Sequence, residues 1–206
     1  MNNPWKEISL SDYEKHMSLD SIMQLQELNR MMKEQFASYP VTSAVVFGVA
    51  GGNGLEHVDT RKYHKVYGID INPDYLSAVK IRCQNLSDIL ECLCIDLTDE
   101  TEKLPAAELL IADLVIEYIG YERFRKAVEK VAPLYVSCII QIDTDDEQWV
   151  SDSPYLHAFA RLDEIHHRMD EDGLRECMAQ MQYRSIKRTE TFLPNGKKLV
   201  QMDFGL

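Results

Sequence analysis

The chain has 206 residues, 45% of them apolar and 27% charged, with 34 acids against 22 bases and a formal charge of −12. This length suits one domain with a substantial core. The acidic balance argues against a nucleic-acid binder, which needs basic surface to neutralise phosphates, and reads either as solubility or as a preference for neutral or cationic substrates.

Ser11-Asp12-Tyr13-Glu14 has capping-box spacing and predicts the start of a short helix. A longer helix is predicted over 19–36, where Ile22, Leu25, Leu28, Met32 and Phe36 recur at helical spacing. Its methionines read as packing, and Tyr39-Pro40 stops it. From residue 43 the pattern alternates. Apolar runs at 44–47, 66–69, 91–95, 109–116 and 135–142 predict strands. Helix-like segments fall between them at 55–58, 75–90, weakly at 98–107, and at 121–131. Continuous apolar strands with helical crossovers predict an open, doubly wound parallel sheet with its ligand at the carboxyl ends of the strands. A helix over 173–182 precedes two β-like runs, 183–193 and 197–204, joined by Pro194-Asn195-Gly196, a strong hairpin signal. The expected fold is therefore α/β, a mostly parallel Rossmann-like sheet ending in an antiparallel hairpin and preceded by N-terminal helices. With no repeat or linker in view, 1–206 reads as one domain.

No basic region followed by an apolar stretch opens the chain, and no run of about 18 apolar residues occurs, so neither a signal peptide nor a membrane span is expected. Cys83, Cys92, Cys94, Cys138 and Cys177 form no C-x-x-C pair. They read as reduced core thiols of a cytoplasmic protein, with no metal site.

The sharpest signal is Val45-Val46-Phe47-Gly48-Val49-Ala50-Gly51-Gly52-Asn53-Gly54, a β-branched run feeding a loop with four glycines in seven positions. A strand that ends in such a loop and restarts as a helix points backbone amides at a nucleotide-like ligand. The spacing Gly48-x-x-x-Gly52-x-Gly54 matches the loop of short-chain dehydrogenases, while the G-x-G-x-x-G fingerprint and the Lys-Ser/Thr of a P-loop are both missing. Asp70 ends the second strand and can accept hydrogen bonds from ribose hydroxyls of either a dinucleotide or an adenosyl cofactor. A dehydrogenase of that class needs a Tyr and a Lys four apart on a helix. The pair Tyr183 and Lys187 lies in a strand-like segment with 19 residues of chain left. Asp96 closes the third strand, and the fourth runs into Ala112-Asp113-Leu114-Val115-Ile116-Glu117-Tyr118.

On these residues the chain resembles the class I S-adenosylmethionine-dependent methyltransferases from about residue 40 to the C-terminus. Its Asn-Pro-Trp start and its glycine loop are similar to uncharacterised bacterial members. The resemblance implies S-adenosylmethionine as cofactor and S-adenosylhomocysteine as product. It implies a cofactor site made of Gly48, Val49, Ala50 and Gly52 in the loop, Asp70 and Ile71 at the ribose, Asp96 and Leu97 at the adenine, and Asp113 after the fourth strand. It also implies that residues 1–40 form a helical lid over the acceptor, on a core of 41–206. Two positions depart from the family pattern: Gly48 stands where an acid is usual and Ala50 where the first glycine is usual. The missing carboxylate motivates a second reading, a non-catalytic adenosyl-binding or interaction protein of the same fold.

A general base is needed only if the acceptor retains a proton near neutral pH. Asp113, Glu117 and Tyr118 are the candidates beyond the fourth strand. The fourth strand lacks the Asn/Asp-Pro-Pro-Tyr signature of nitrogen methylation on nucleobases or glutamine, which with the acidic charge points to a small-molecule acceptor and away from nucleic acid. Trp5, Tyr13 and His16 in the lid read as packing or as acceptor contacts. Residues 143–172 hold ten acids, two arginines and His166-His167-Arg168, and read as a solvated acidic face or an amine-attracting mouth.

Overall fold

The computed structural model describes residues 3–142 and 150–206. After a 3-10 turn at Pro4–Lys6, the chain forms α1 (Leu10–Met17) and α2 (Gln24–Ser38). Then come β1 (Ser43–Phe47), β2 (Lys65–Asp70), α3 (Pro73–Arg82), β3 (Leu90–Cys94), β4 (Leu109–Asp113), α4 (Ile116–Val131) and β5 (Tyr135–Ile142). A 3-10 segment at Leu156–Glu164, α5 (Glu171–Ala179), β6 (Arg184–Phe192) and β7 (Lys198–Gly205) complete it.

The strands form one sheet in the order β3-β2-β1-β4-β5-β7-β6. β1 to β5 pair in parallel, while β7 runs antiparallel to both β5 and β6. This is the doubly wound sheet with a terminal antiparallel hairpin that the sequence predicts. Both faces are covered, which is why the central strands are apolar at successive positions. Val45 and Phe47 face α4 and α5, packing with Phe124, Ala127, Leu174 and Met178. Ala44 and Val46 face α2 and α3, packing with Met32, Phe36, Leu76 and Val79. Strand order reverses between β1 and β4, which opens a crevice at their carboxyl ends.

Several boundaries differ from expectation. Helix α1 is capped by Ser9, whose hydroxyl accepts from Asp12 N at 3.1 Å, so the cap lies two residues before Ser11. The helix expected from residue 19 begins at Gln24, because Met23 takes a left-handed φ of 57° after a tight turn closed by Met23 N on Leu19 O. The fourth strand stops at Asp113 and the next helix begins at Ile116. Leu114, at φ 54°, breaks the apolar run in two. Periodicity alone could not separate the strand end from the apolar first turn of α4. The segments at 55–58 and 98–107 contribute only the 3-10 turns Leu55–His57 and Thr101–Lys103.

The loop after β1 is held by left-handed backbone at Gly48 (φ 64°), Ala50 (45°), Gly52 (86°) and Gly54 (89°). At Gly54 an added Cβ would lie 2.9 Å from Met32 Cβ, against the backbone-proximal part of α2. Gly54→Ala therefore combines left-handed strain with overpacking and is expected to cost roughly 2–4 kcal/mol of unfolding free energy. Urea denaturation measures this, and a loss within error of zero would contradict the geometry.

Candidate functional site

The crevice at the strand ends is a cleft with about 1140 Å³ of free space, its open mouth included. Gly48, Ala50, Asp70, Ile71, Asp96, Leu97 and Asp113 all line it, as do Glu117 and Tyr118 from the start of α4. Trp5, Tyr13 and His16 line it from the N-terminal segment, and His166 from the stretch before α5. Val49 and Gly52 do not. Val49 is turned into the core, where it packs 3.3 Å from the Cβ position of Gly68, and Gly52 faces Val79 and Cys83. Those two positions shape the loop from behind. Of the acidic segment read at 143–172, residues 143–149 lie outside the described part. His167 turns away from the cleft, its ring against Gly120 and its amide on Glu117 O.

Asp70 is the hinge of the site. Its Oδ2 accepts from Ala50 N at 2.8 Å, and its Oδ1 accepts from Asn72 N at 2.9 Å. Asn72 Nδ2 donates in turn to Trp5 O at 3.0 Å, and Tyr75 OH to Ile8 O at 3.0 Å, so the turn after β2 ties down the N-terminal segment. Burial pushes the Asp70 carboxyl up to about 6, against the pull of these backbone donors. Asp96 is fixed by Thr98, whose amide and hydroxyl both donate to Oδ1, at 2.9 and 2.6 Å.

Asp113 belongs to a buried polar chain that sequence reasoning missed. Gln35 Nε2 donates to Asp113 Oδ1 at 2.8 Å and approaches Ser137 Oγ at 2.9 Å. Ser137 donates to Asp203 Oδ1 at 2.5 Å, and Tyr39 OH donates to Asp203 Oδ2 at 2.6 Å. Asp113 Oδ2 is buried and has no hydrogen-bond partner among the described residues. Loss of hydration, with Asp203 and Glu117 nearby, pushes the Asp113 carboxyl up to about 8 in spite of the Gln35 donor. The signal for Gln35 was present. It occupies a core position of α2, three and four residues on from Met32 and Met31, where an apolar side chain is the rule.

The wall opposite the strand ends is aromatic. Trp5 meets Tyr118 at 4.9 Å and Tyr13 at 5.9 Å between centroids. Phe159 and Leu162 close the wall, with the His16 ring 4.6 Å from that of Phe159 and tilted by 44°. Burial lowers His16 below its ordinary value and His166 to about 4, with Lys197 adding to both, so both rings are neutral at pH 7. Among the described residues no group of three or more His, Cys, Asp or Glu is placed to hold a metal ion.

No family model and no curated protein matches the sequence. Solved structures do match. The N-methyltransferase NodS from Bradyrhizobium japonicum WM9, in complex with S-adenosyl-L-homocysteine, superposes at a TM-score of 0.66 with 14% identity, over 99% of this chain and 98% of that one. Magnesium protoporphyrin IX methyltransferase ChlM from Synechocystis PCC 6803, with bound SAM, gives 0.62 at 10% identity, over 94% and 83%. The chain has the fold of the class I S-adenosylmethionine-dependent methyltransferases. The [4+2]-cyclase SpnF shares this methyltransferase fold as well, at a TM-score of 0.66 and 9% identity, over 89% and 82%. No helix among the described residues is long and apolar enough to cross a membrane.

The raised carboxyls set a pH dependence. Folded Asp113 binds its proton more tightly than the unfolded chain does, so the stability it contributes is complete below about 3.8 and is lost as pH rises through 8. The buried histidines act in the opposite sense, an effect that fades as the unfolded-state rings lose their protons and is gone above about pH 7.5. Between pH 6.5 and 8 the ligand-free protein is therefore expected to lose roughly 2 kcal/mol through Asp113. Asp113→Asn, which keeps an acceptor for Gln35, should flatten that part of the profile in urea titrations. An unchanged slope in the variant would show that another group is responsible.

Proposed function

We propose that the chain is an S-adenosylmethionine-dependent methyltransferase acting on a small-molecule acceptor, with S-adenosylhomocysteine as product. The observation that carries this reading is the single cleft in which the glycine loop, Asp70, Asp96 and Asp113 converge from four successive ends of the parallel sheet. Support also comes from NodS and ChlM, methyltransferases of the same fold described with SAH and SAM bound. In this reading Asp70 and Ile71 take the ribose, Asp96 and Leu97 the adenine, and Gly48 and Ala50 bring bare backbone to the methionine end. The segment before β1 acts as a lid over a core beginning near residue 41, the two making one domain. When bound, the cofactor supplies an electrophilic methyl group on a cationic sulfonium. The protein's share is to align the acceptor and exclude water, for which the aromatic wall is suited.

The residues present fit such a cofactor. Gly48 leaves no side chain between β1 and the cleft. The usual acid of that position has a neighbour to replace it. Phe47 pairs with Ala112 across β1 and β4, so Gly48 and Asp113 are the next residues on adjacent strands. The buried, unpartnered Asp113 Oδ2 belongs to an acid that burial keeps protonated in the empty cleft and that a cation would ionise, and the ammonium of a methionine moiety is one. We read Asp113 as the grip on that end.

Calorimetry with S-adenosylhomocysteine tests the proposal, and no binding at millimolar ligand would end it. Asp113→Asn is expected to weaken S-adenosylhomocysteine by about tenfold, the size of one charge-assisted bond. It should leave 5′-methylthioadenosine, which lacks the amino-acid end, nearly unaffected. Equal losses for both ligands would remove Asp113 from the methionine end.

A second reading, a cofactor-binding protein without methyl transfer, draws on Gly48 in place of the acid and on the SpnF likeness. Transfer from labelled cofactor across a metabolite panel separates the two, because any clear turnover excludes it.

A further inference from the structure

We propose that the cofactor enters in exchange for a proton: the ammonium of its amino-acid end takes the place of one that Asp113 holds in the empty cleft, so affinity rises with pH. The inference rests on the methyltransferase reading and on Asp113 as the grip on that end, and it adds how the same site is regulated.

Two acids stand on one hydrogen-bonded chain, and its donors are shared between them unequally. Asp203 collects them on both oxygens. Ser137 Oγ donates to Oδ1 at 2.5 Å, Tyr39 OH to Oδ2 at 2.6 Å, and Gln201 Nε2 reaches both, at 2.9 and 3.1 Å. Asp113 receives Gln35 Nε2 alone, on Oδ1, and that nitrogen also serves Ser137. Its Oδ2 is out of solvent and has no partner among the described residues. An acid with donors on both oxygens is held as an anion, whereas a desolvated one with a single donor keeps its proton. The negative charge therefore sits on Asp203 and the proton on Asp113.

The groups around Asp113 act in the same direction. Burial, joined by the like charges of Asp203 on β7 and Glu117 on α4, raises it to about 8 against the Gln35 donor of α2. Tyr13 of α1 and Cys138 of β5 also face it, and burial raises both, so they stay neutral at the pH values that matter.

The exchange balances. The O–H bond of Asp113 breaks with its electron pair left on the carboxylate, and the proton passes to water. The incoming ammonium keeps its own protons and donates to the carboxylate in a charge-assisted bond. One cation enters as one leaves, so the site never holds an unpaired buried anion. Binding that releases a proton strengthens as pH rises, for as long as the empty protein still holds that proton. The window runs from pH 6.5, above Asp70 at about 6, to Asp113 at about 8. Burial lowers His16 and His166, so neither ring titrates within it.

The test titrates the full chain calorimetrically with S-adenosylhomocysteine and with 5′-methylthioadenosine, at pH 6.5 and 7.5, in buffers of different ionisation heat. S-adenosylhomocysteine is expected to release about one proton at pH 6.5 and to bind about five- to tenfold tighter at pH 7.5. 5′-Methylthioadenosine should release almost none and change by less than about twofold. Asp113→Asn should bring S-adenosylhomocysteine to the proton count and pH slope of 5′-methylthioadenosine. Should that variant not fold, the comparison of the two ligands on the wild-type chain decides alone. Binding of S-adenosylhomocysteine without proton release, equal release for both ligands, or release that survives in Asp113→Asn would overturn the inference and leave the cofactor reading intact. Failure of the wild-type chain to bind S-adenosylhomocysteine at millimolar ligand would overturn both.

Discussion

The site depends on one carboxylate that is bonded on both sides by backbone. Asp70 accepts Ala50 N from the loop after β1 and Asn72 N from the turn after β2, and Asn72 passes the tie on to Trp5 O. Three segments far apart in sequence are thereby fixed around one buried group. The loop needs that help. Ala50 holds a φ of 45° without the conformational freedom of glycine, and the Asp70 bond satisfies the amide that this conformation turns toward β2. A second tie comes from Arg82 of α3, which donates to Gly51 O at 3.1 Å and pairs with Glu14 of α1. The glycine loop is thus gripped from the sheet side by an acid and from the helix side by a base, and both grips extend into the N-terminal helices.

The terminal hairpin has a role beyond finishing the sheet. By inserting β7 between β5 and β6, the chain places Asp203 beside Ser137, and through Gln35 it reaches Asp113 at the cleft. Gln35, Ser137 and Asp203 are fully buried and Asp113 is half-buried with its Oδ2 out of solvent, so each would be costly alone, and the chain of bonds is what makes their burial tolerable. It also fixes one oxygen of Asp113 firmly while leaving the other without a partner among the described residues. An Asn at position 113 can keep the Gln35 bond, which is why charge and shape can be separated at this residue.

The succession of elements, the parallel sheet and the antiparallel finish were legible because β-branched runs, the helix-like segment at 121–131 and an Asn-Gly turn carry strong local signals. Asp70 and Asp96 were legible because an acid at the end of a parallel strand has few structural reasons to be there. The misreadings share a cause. Leu114 and Met23 adopt left-handed backbone that tertiary packing imposes and that leucine and methionine do not announce. Ser9 and Ser11 are equally plausible caps by composition, and the contacts of the following helix choose between them. Gln35 and Phe159 depend on partners more than 75 residues away, as in the Gln35–Asp113 bond and the contact of Phe159 with His16, and no local pattern encodes that distance.

The distribution of charge supplies a stronger functional argument than the fold does. Many lysines and arginines make ion pairs at the surface, as Arg188 does with Glu171 and Glu190 and Arg161 does with Glu7 and Glu164. Such pairs contribute little to stability because water and salt screen them. At the cleft the arrangement is reversed: Asp70 and Asp113 are desolvated, and among the described residues neither has a lysine or arginine within ion-pairing distance. A chain under selection for stability alone would have neutralised or removed these acids. Retaining them costs stability in the empty state. A cation that binds only the folded protein recovers that cost in proportion to how well it matches their positions. The fold is shared with a cyclase, so it cannot by itself name a reaction. The residues that converge at the strand ends, with Asp70 and Asp113 desolvated among them, carry the chemical information that the fold leaves open.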